Sequence, residues 1–267
     1  MIDHALARIF HNQWMVLMIT TLLFFLIAEL AYRLGRVYRK RNPDASASDG
    51  GVQGAVLGLL GLLLGFTFAM AVGRYDTRHT LNVDEANSIG TTWLRSDFLP
   101  SPQQDEVKTL LRRYAELKVE APSVRDRTPQ MAEMRAEIGR IQSELWTAGS
   151  KAAAAVPTPV TVSFITTLNE TIDLDSSNLT AMRNRVPGAV WLLLLVVASS
   201  GSWVSGYGCG LAGMRSTFSQ LIFPILIGVV ITLIADIDRP HMGVIRVNKG
   251  PMNNLLESMQ SGITNPN

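Results

Sequence analysis

Cysteine and charge are what this sequence has least of. Its single cysteine, Cys209, excludes a disulfide framework within the chain. The four histidines, His4, His11, His79 and His241, show no spacing of the kind a zinc site requires. Charged residues make up 17% of the chain, where a soluble domain carries about a quarter. There is no nucleophile elbow, phosphate loop or metalloprotease helix. No catalytic residue, enzyme activity, cofactor or metal is therefore expected. A net charge of +2 is too mild to imply a nucleic-acid partner.

What is abundant is apolar sequence, concentrated in four runs at about 14–31, 51–73, 188–211 and 218–235. Each is continuous and long enough to cross a bilayer core as a helix, and none alternates as a β-barrel strand would. The expectation is an all-α, four-span transmembrane protein partnered by the lipid bilayer, with spans paired as 1–73 and 187–238. The first run fits an uncleaved anchor better than a signal peptide, because no small-x-small cleavage pattern precedes the basic stretch Arg33 to Arg41. The second run carries Gly54, Gly58, Gly61 and Gly65 on one helical face, the pattern of a close helix-packing surface in lipid. Lining a pore is the other reading of that face. The third run is bulky at first and small later, with Ser199, Ser200, Gly201, Ser202, Ser205, Gly206, Gly208 and Gly210 marking a half suited to a polar, bundle-facing surface. In the fourth, Pro224 either kinks the helix or starts its regular part.

Residues 74–186 hold 29 of the 46 charged side chains, 14 basic and 15 acidic, the composition of a solvated domain. The second span is free of proline and can run on into it as one long helix. Val107, Leu110, Leu111, Tyr114 and Leu117 predict a helix over 103–120. Met131, Met134, Ile138, Ile141 and Leu145 predict another over about 129–148. The alanine-rich stretch 151–159 reads as a break, followed by a helix from Thr161. Residues 239–267 read as a C-terminal tail.

Two stretches are more polar than membrane packing requires. Glu85, Ser88, Thr92 and Arg95 share a helical face just beyond the second span, suited to water, an ion or a partner helix. Asp236, Asp238 and Arg239 close the fourth span abruptly, as a polar cluster at a water-filled mouth or a membrane-border ion pair.

The segments Asp84-Glu-Ala-Asn-Ser-Ile-Gly-Thr-Thr-Trp-Leu-Arg95, Arg183-Asn-Arg-Val-Pro187, Gly206-Tyr-Gly208 and Ile234-Ala-Asp-Ile-Asp-Arg-Pro240 resemble a large, mostly bacterial family of uncharacterised membrane proteins labelled bestrophin-like. So do Gly243-Val-Ile-Arg-Val247 and Pro251-Met252. The resemblance covers nearly the whole chain. Bestrophins themselves are pentameric anion channels with four membrane helices and a helical cytosolic part. The resemblance thus implies a homo-oligomer passing a small ion, set in a cell membrane, here a bacterial inner membrane. Bestrophins narrow their pore with bulky apolar residues of the second membrane helix, where this chain offers glycines. No calcium clasp matches either. Two classes of function stay open: an oligomeric ion channel, and a non-transporting scaffold or sensor acting through the middle domain. Orientation also stays open. The first-loop cluster favours termini outside, and the bestrophin resemblance favours termini inside.

Overall fold

The computed structural model describes residues 13–43, 50–120, 129–216, 218–239 and 248–261. Among these, eight α-helices follow one another: α1 (Gln13–Arg41), α2 (Gly50–Arg95), α3 (Gln103–Glu120), α4 (Pro129–Ala155), α5 (Pro159–Arg183), α6 (Gly188–Ala212), α7 (Phe223–Ile237) and α8 (Gly250–Ser261). No strand occurs among the described residues. The chain divides into two compact units, Met1–Arg74 with Arg185–Ile245, and Tyr75–Asn184 with Arg246–Asn267. Helix α2 runs unbroken through the boundary, as the absence of proline predicts.

Among the described residues, four helical segments are long and apolar enough to cross a membrane: Gln13–Arg41, Gly50–Phe98, Pro159–Ala212 and Gln220–Ile237. The helices of the first unit turn large side chains outward. Trp14, Met18, Leu22, Leu26 and Leu30 form an exposed stripe at four-residue spacing along α1. Small residues lie inside. A Cβ added at Gly206 of α6 would stand 2.2 Å from the backbone oxygen of Ala28, and one at Gly210 would stand 2.4 Å from that of Tyr32. These two glycines, four apart, bring the α1 and α6 backbones together, the small-residue packing that lipid favours. Gly228 of α7 meets Thr21 of α1 just as closely. Helix α2 packs through Leu57 and Leu60 against Gly201 of α6. Phe24, Leu60, Val197, Ala198, Ile227 and Ile231 form the apolar centre.

Helix α6 ends at Gly213, whose φ of +73° is the left-handed C-terminal cap that glycine adopts without strain. One π-helical turn, Phe218–Ile222, then leads into α7, with Pro224 in its first turn. Pro224 therefore starts the regular helix and does not kink it. Glu29, the one acid of the first run, is bonded by Arg33 at 2.8 Å and by Arg215 of the α6–α7 connection at 3.1 Å. That pairing satisfies a charge at the border of an apolar helix.

The second unit surrounds a core of Ile89, Val107, Leu111, Tyr114, Ile141, Leu145, Phe164 and Leu168. Fully buried, each large aliphatic or Phe side chain contributes roughly 1.5–3 kcal/mol. Helix α3 has the bounds read from its periodicity. Helix α4 runs seven residues beyond expectation, because alanine favours helix more than any other residue. The real break is Val156–Thr158. There the Thr158 side chain caps α5 reciprocally with Thr161, and Pro159 stands in the first turn. The C-terminal stretch expected to be a tail contains α8, whose Met252, Leu255 and Met259 insert into the same core. Their spacing of three and four residues is the signature of a packed helix face.

Candidate functional site

The polar face of α2 is buried in the second unit. Glu85 and Thr92 are fully buried and Ser88 nearly so. The face meets α5 directly: Ser88 Oγ lies 2.9 Å and Thr92 Oγ1 3.1 Å from the Thr171 hydroxyl. Arg95 donates to the backbone oxygen of Ser163 at 2.9 Å. The face therefore lies against a neighbouring helix of the same unit.

Glu85 is the centre of a wider network. Its carboxylate accepts from Lys118 at 2.7 Å, from Asn178 Nδ2 at 2.8 Å and from the Tyr114 hydroxyl at 3.2 Å. Lys118 also reaches Asp175 at 2.6 Å, and Gln142 donates to the other oxygen of Asp175 at 3.0 Å. One ammonium thus lies between two carboxylates in a largely dry setting. Burial alone would lower the Lys118 pKa, but the Glu85 and Asp175 charges outweigh it and leave it above the ordinary lysine value. Burial, reinforced by the Glu85 charge, holds the Tyr114 phenol well above its ordinary value, so it stays protonated and donates. The network ties α2, α3 and α5 together, while the Asn178 Oδ1 is a buried acceptor without a hydrogen-bond donor among the described residues. Close to it, the fully buried Arg78 of α2 donates to the backbone oxygens of Ala181 and Asn184, at 3.1 and 2.8 Å. It thereby satisfies carbonyls at the end of α5 that have no helical partner.

In the first unit, Asp236 and Asp238 are both buried and serve different partners. Asp238 accepts from the backbone N–H of Val186 at 2.9 Å, just before α6 begins. Its negative charge sits where the positive end of the α6 dipole favours it. Asp236 accepts from the Gln13 side-chain amide at the start of α1. The backbone N–H of Arg239 bonds the Asp236 carbonyl at 3.1 Å, and its guanidinium feels the charges of Asp238 and Arg185. Pro240 lies outside the described residues.

Gly54, Gly58, Gly61 and Gly65 are exposed, and among the described residues no atom beyond their own stretch of helix lies within 4 Å of a Cβ built on any of them. The packing expected of this stripe is not made among the described residues. At 100° per residue the four fall within a 60° arc, turned well away from the buried line of Leu60, Thr67 and Ala71. The bulky exposed Leu59, Leu62 and Phe66 lie to one side of that arc. Among the described residues of the first unit, the glycines packed most closely on neighbouring helices are Gly35 of α1, Gly206 and Gly210 of α6 and Gly228 of α7.

A sequence model of the Bestrophin-like domain matches residues 22–252. The chain belongs to the bestrophin-like family. No curated protein matches it. Two crystal structures of variants of a bacterial bestrophin homologue from Klebsiella pneumoniae share its fold. One has a TM-score of 0.67 at 13% identity, covering 92% of this chain and 96% of that one. The other has 0.69 at 12%, covering 91% and 97%. A third crystal structure, of a membrane protein, gives 0.69 at 13%, with 92% and 97% covered. At such identities the likeness is one of fold.

Several residues of this bestrophin-like chain escaped the sequence reading. The i, i+3 and i+4 spacing revealed the α2 face, but Lys118, Asp175 and Asn178 lie on other helices and join it only through tertiary packing. Gln13 sits one residue before the first apolar run, and only the contact between α1 and α7 links it to Asp236. The resembling Gly243–Val247 segment lies outside the described residues.

Proposed function

We propose that this bestrophin-like protein is an oligomeric ion channel of a bacterial inner membrane, in which copies surround an axial path faced by the glycines of α2. The observation that carries the reading is the unfilled Gly54–Gly58–Gly61–Gly65 face. Lipid wets large side chains well and a glycine groove poorly, so such a face calls for another helix or for water. Bestrophins are oligomeric channels that line their pore with the second membrane helix, which supports water and a permeating small ion at this face. Side chains do not narrow the path here. The glycine backbone does, and it leaves a wider lumen than a neck of bulky apolar residues. Helix α2 continues along the chain from this face to the residues of the Glu85 network.

Reconstitution into planar bilayers tests the reading. Wild-type protein should carry ionic current. Gly58→Trp and Gly61→Trp should remove most of it while oligomer size stays the same. Absence of current from folded, oligomeric wild-type protein would favour the scaffold or sensor, whose glycine faces pack copy against copy.

A further inference from the structure

Helix α1 is longer than a bilayer core requires. About twenty residues fill the roughly 30 Å of hydrocarbon, and the apolar run from Trp14 uses them up by Arg33. The helix nevertheless continues to Arg41. Its last stretch, Arg33–Arg41, rises roughly 13 Å further, through the headgroup layer. That stretch carries five cations, Arg33, Arg36, Arg39, Lys40 and Arg41, and no acid.

Two of the five are engaged. Arg33 bonds Glu29 at 2.8 Å. The Arg39 guanidinium lies against Gly213 at the end of α6, where the helix dipole is negative. Arg215, at the same end of the first unit, shares Glu29 and stacks on Tyr32. Arg36, Lys40 and Arg41 are exposed, and their side chains make no ion pair among the described residues. The sequence at this end sets six cations against three acids, Glu29, Asp44 and Asp49. The surplus is positive.

Apolar surface leads up to it. At 100° per residue, Lys40 and Arg41 fall within an arc of about 100° that also holds Leu26, Leu30 and Val37. Those three are at least half exposed. The arc points away from Ala28, Ala31, Tyr32 and Gly35, which are buried. A soluble anion would use the cations alone. A lipid uses the whole arc, with its chain in the hydrocarbon and its phosphate one to two turns higher. The charge then selects the headgroup. Choline and ethanolamine each carry a cation that cancels the phosphate, and glycerol does not.

We propose that the end of α1 binds an anionic phospholipid. Lys40 and Arg41 hold its phosphate, Arg36 stands one turn below Lys40, and an acyl chain lies along Leu26, Leu30 and Val37. The site is on α1, not on the glycine face of α2, and stands whether or not the protein conducts.

Native mass spectrometry of the full-length oligomer tests it, after delipidation and exposure to phosphatidylglycerol, phosphatidylethanolamine and phosphatidylcholine with identical acyl chains. Each Lys or Arg at an anionic membrane surface favours binding about fivefold, so two should retain the glycerol lipid about twentyfold over the choline lipid. Lys40→Gln with Arg41→Gln should bring the three lipids close to parity. Arg140→Gln, an exposed cation of α4, should leave the preference unchanged. Should the double variant fold poorly, the wild-type protein still decides. Its preference should weaken with added salt, because exposed charges are screened. Inorganic phosphate should not displace the lipid. Equal retention of the three lipids, or a preference lost equally in Arg140→Gln, would overturn the proposal. Displacement by inorganic phosphate would do the same, marking a site for a soluble anion. So would disulfide capture between copies through Leu30→Cys and Val37→Cys, which would show the face covered by a second protomer.

Discussion

Lys118→Met is the sharpest perturbation of the middle domain. Methionine keeps the apolar stem of lysine and removes the ammonium that lies 2.7 Å from Glu85 and 2.6 Å from Asp175. Glu85 is fully buried, so the change leaves a charge without its counter-ion in a dry site, with a second carboxylate beside it. Breaking a buried ion pair on one side costs about 3–5 kcal/mol. In a domain of this size that lowers Tm by on the order of 10 °C. Thermal unfolding of purified protein, followed by circular dichroism, reads the loss. The deficit should shrink as pH falls from 8 to 5. An uncompensated buried carboxyl titrates above its unfolded value, so its penalty is absent at low pH and grows as pH rises through the raised pKa. Glu85→Gln added to Lys118→Met should recover much of the stability. In the unmodified protein, Lys118 and Tyr114 are both raised in the folded state. Their stabilisation is complete below their ordinary values of 10.5 and 10.0 and is lost as pH climbs beyond them. A Lys118→Met protein that melts within about 2 °C of wild type at pH 8, with no pH dependence of the difference, would refute the buried network.

The other predictions concern the first unit. Gly206→Ala should cost at least about 2 kcal/mol and lower the folded yield, because its Cβ would meet the Ala28 backbone oxygen, which cannot swing aside. Gly58→Ala has no such neighbour, and the protomer should fold as well as wild type, any effect being confined to assembly or current. Asp238→Asn weakens the acceptor for the Val186 N–H and should cost about 1–2 kcal/mol, measured as a lower Tm in detergent. Reporter fusions at 45 and 214 should label one face of the membrane and fusions at 130 and 260 the other; 45 and 130 on the same face would contradict four spans.

How much of this was legible depends on whether a feature is local. Helix α3 is amphipathic, preceded by Pro102 and patterned by Val107, Leu111 and Tyr114, and its ends follow from local chemistry alone. The Glu85–Ser88–Thr92 face is likewise a matter of spacing. Its occupants are not, since Lys118, Asp175 and Asn178 lie from about 30 to 90 residues away and only folding brings them together. The glycines show the limit most clearly. Helices α2 and α6 both carry small residues at three- and four-residue intervals, and spacing alone cannot say which stripe packs inside the protomer. The deciding fact is the partner surface: Ala28 and Gly35 of α1 meet Gly206 and Gly210 of α6, and no other described helix packs on Gly54 to Gly65. Helix α8 was readable from Met252, Leu255 and Met259, but its short length and polar flanks gave it the look of a tail.

Imaging the detergent-purified oligomer by single-particle electron microscopy tests the central claim most directly. The expected result is a closed ring with α2 nearest the axis and Gly54, Gly58, Gly61 and Gly65 turned toward an open path. A ring with the glycine faces against lipid, or a solid centre in which α2 helices pack glycine to glycine with no path between them, would contradict it.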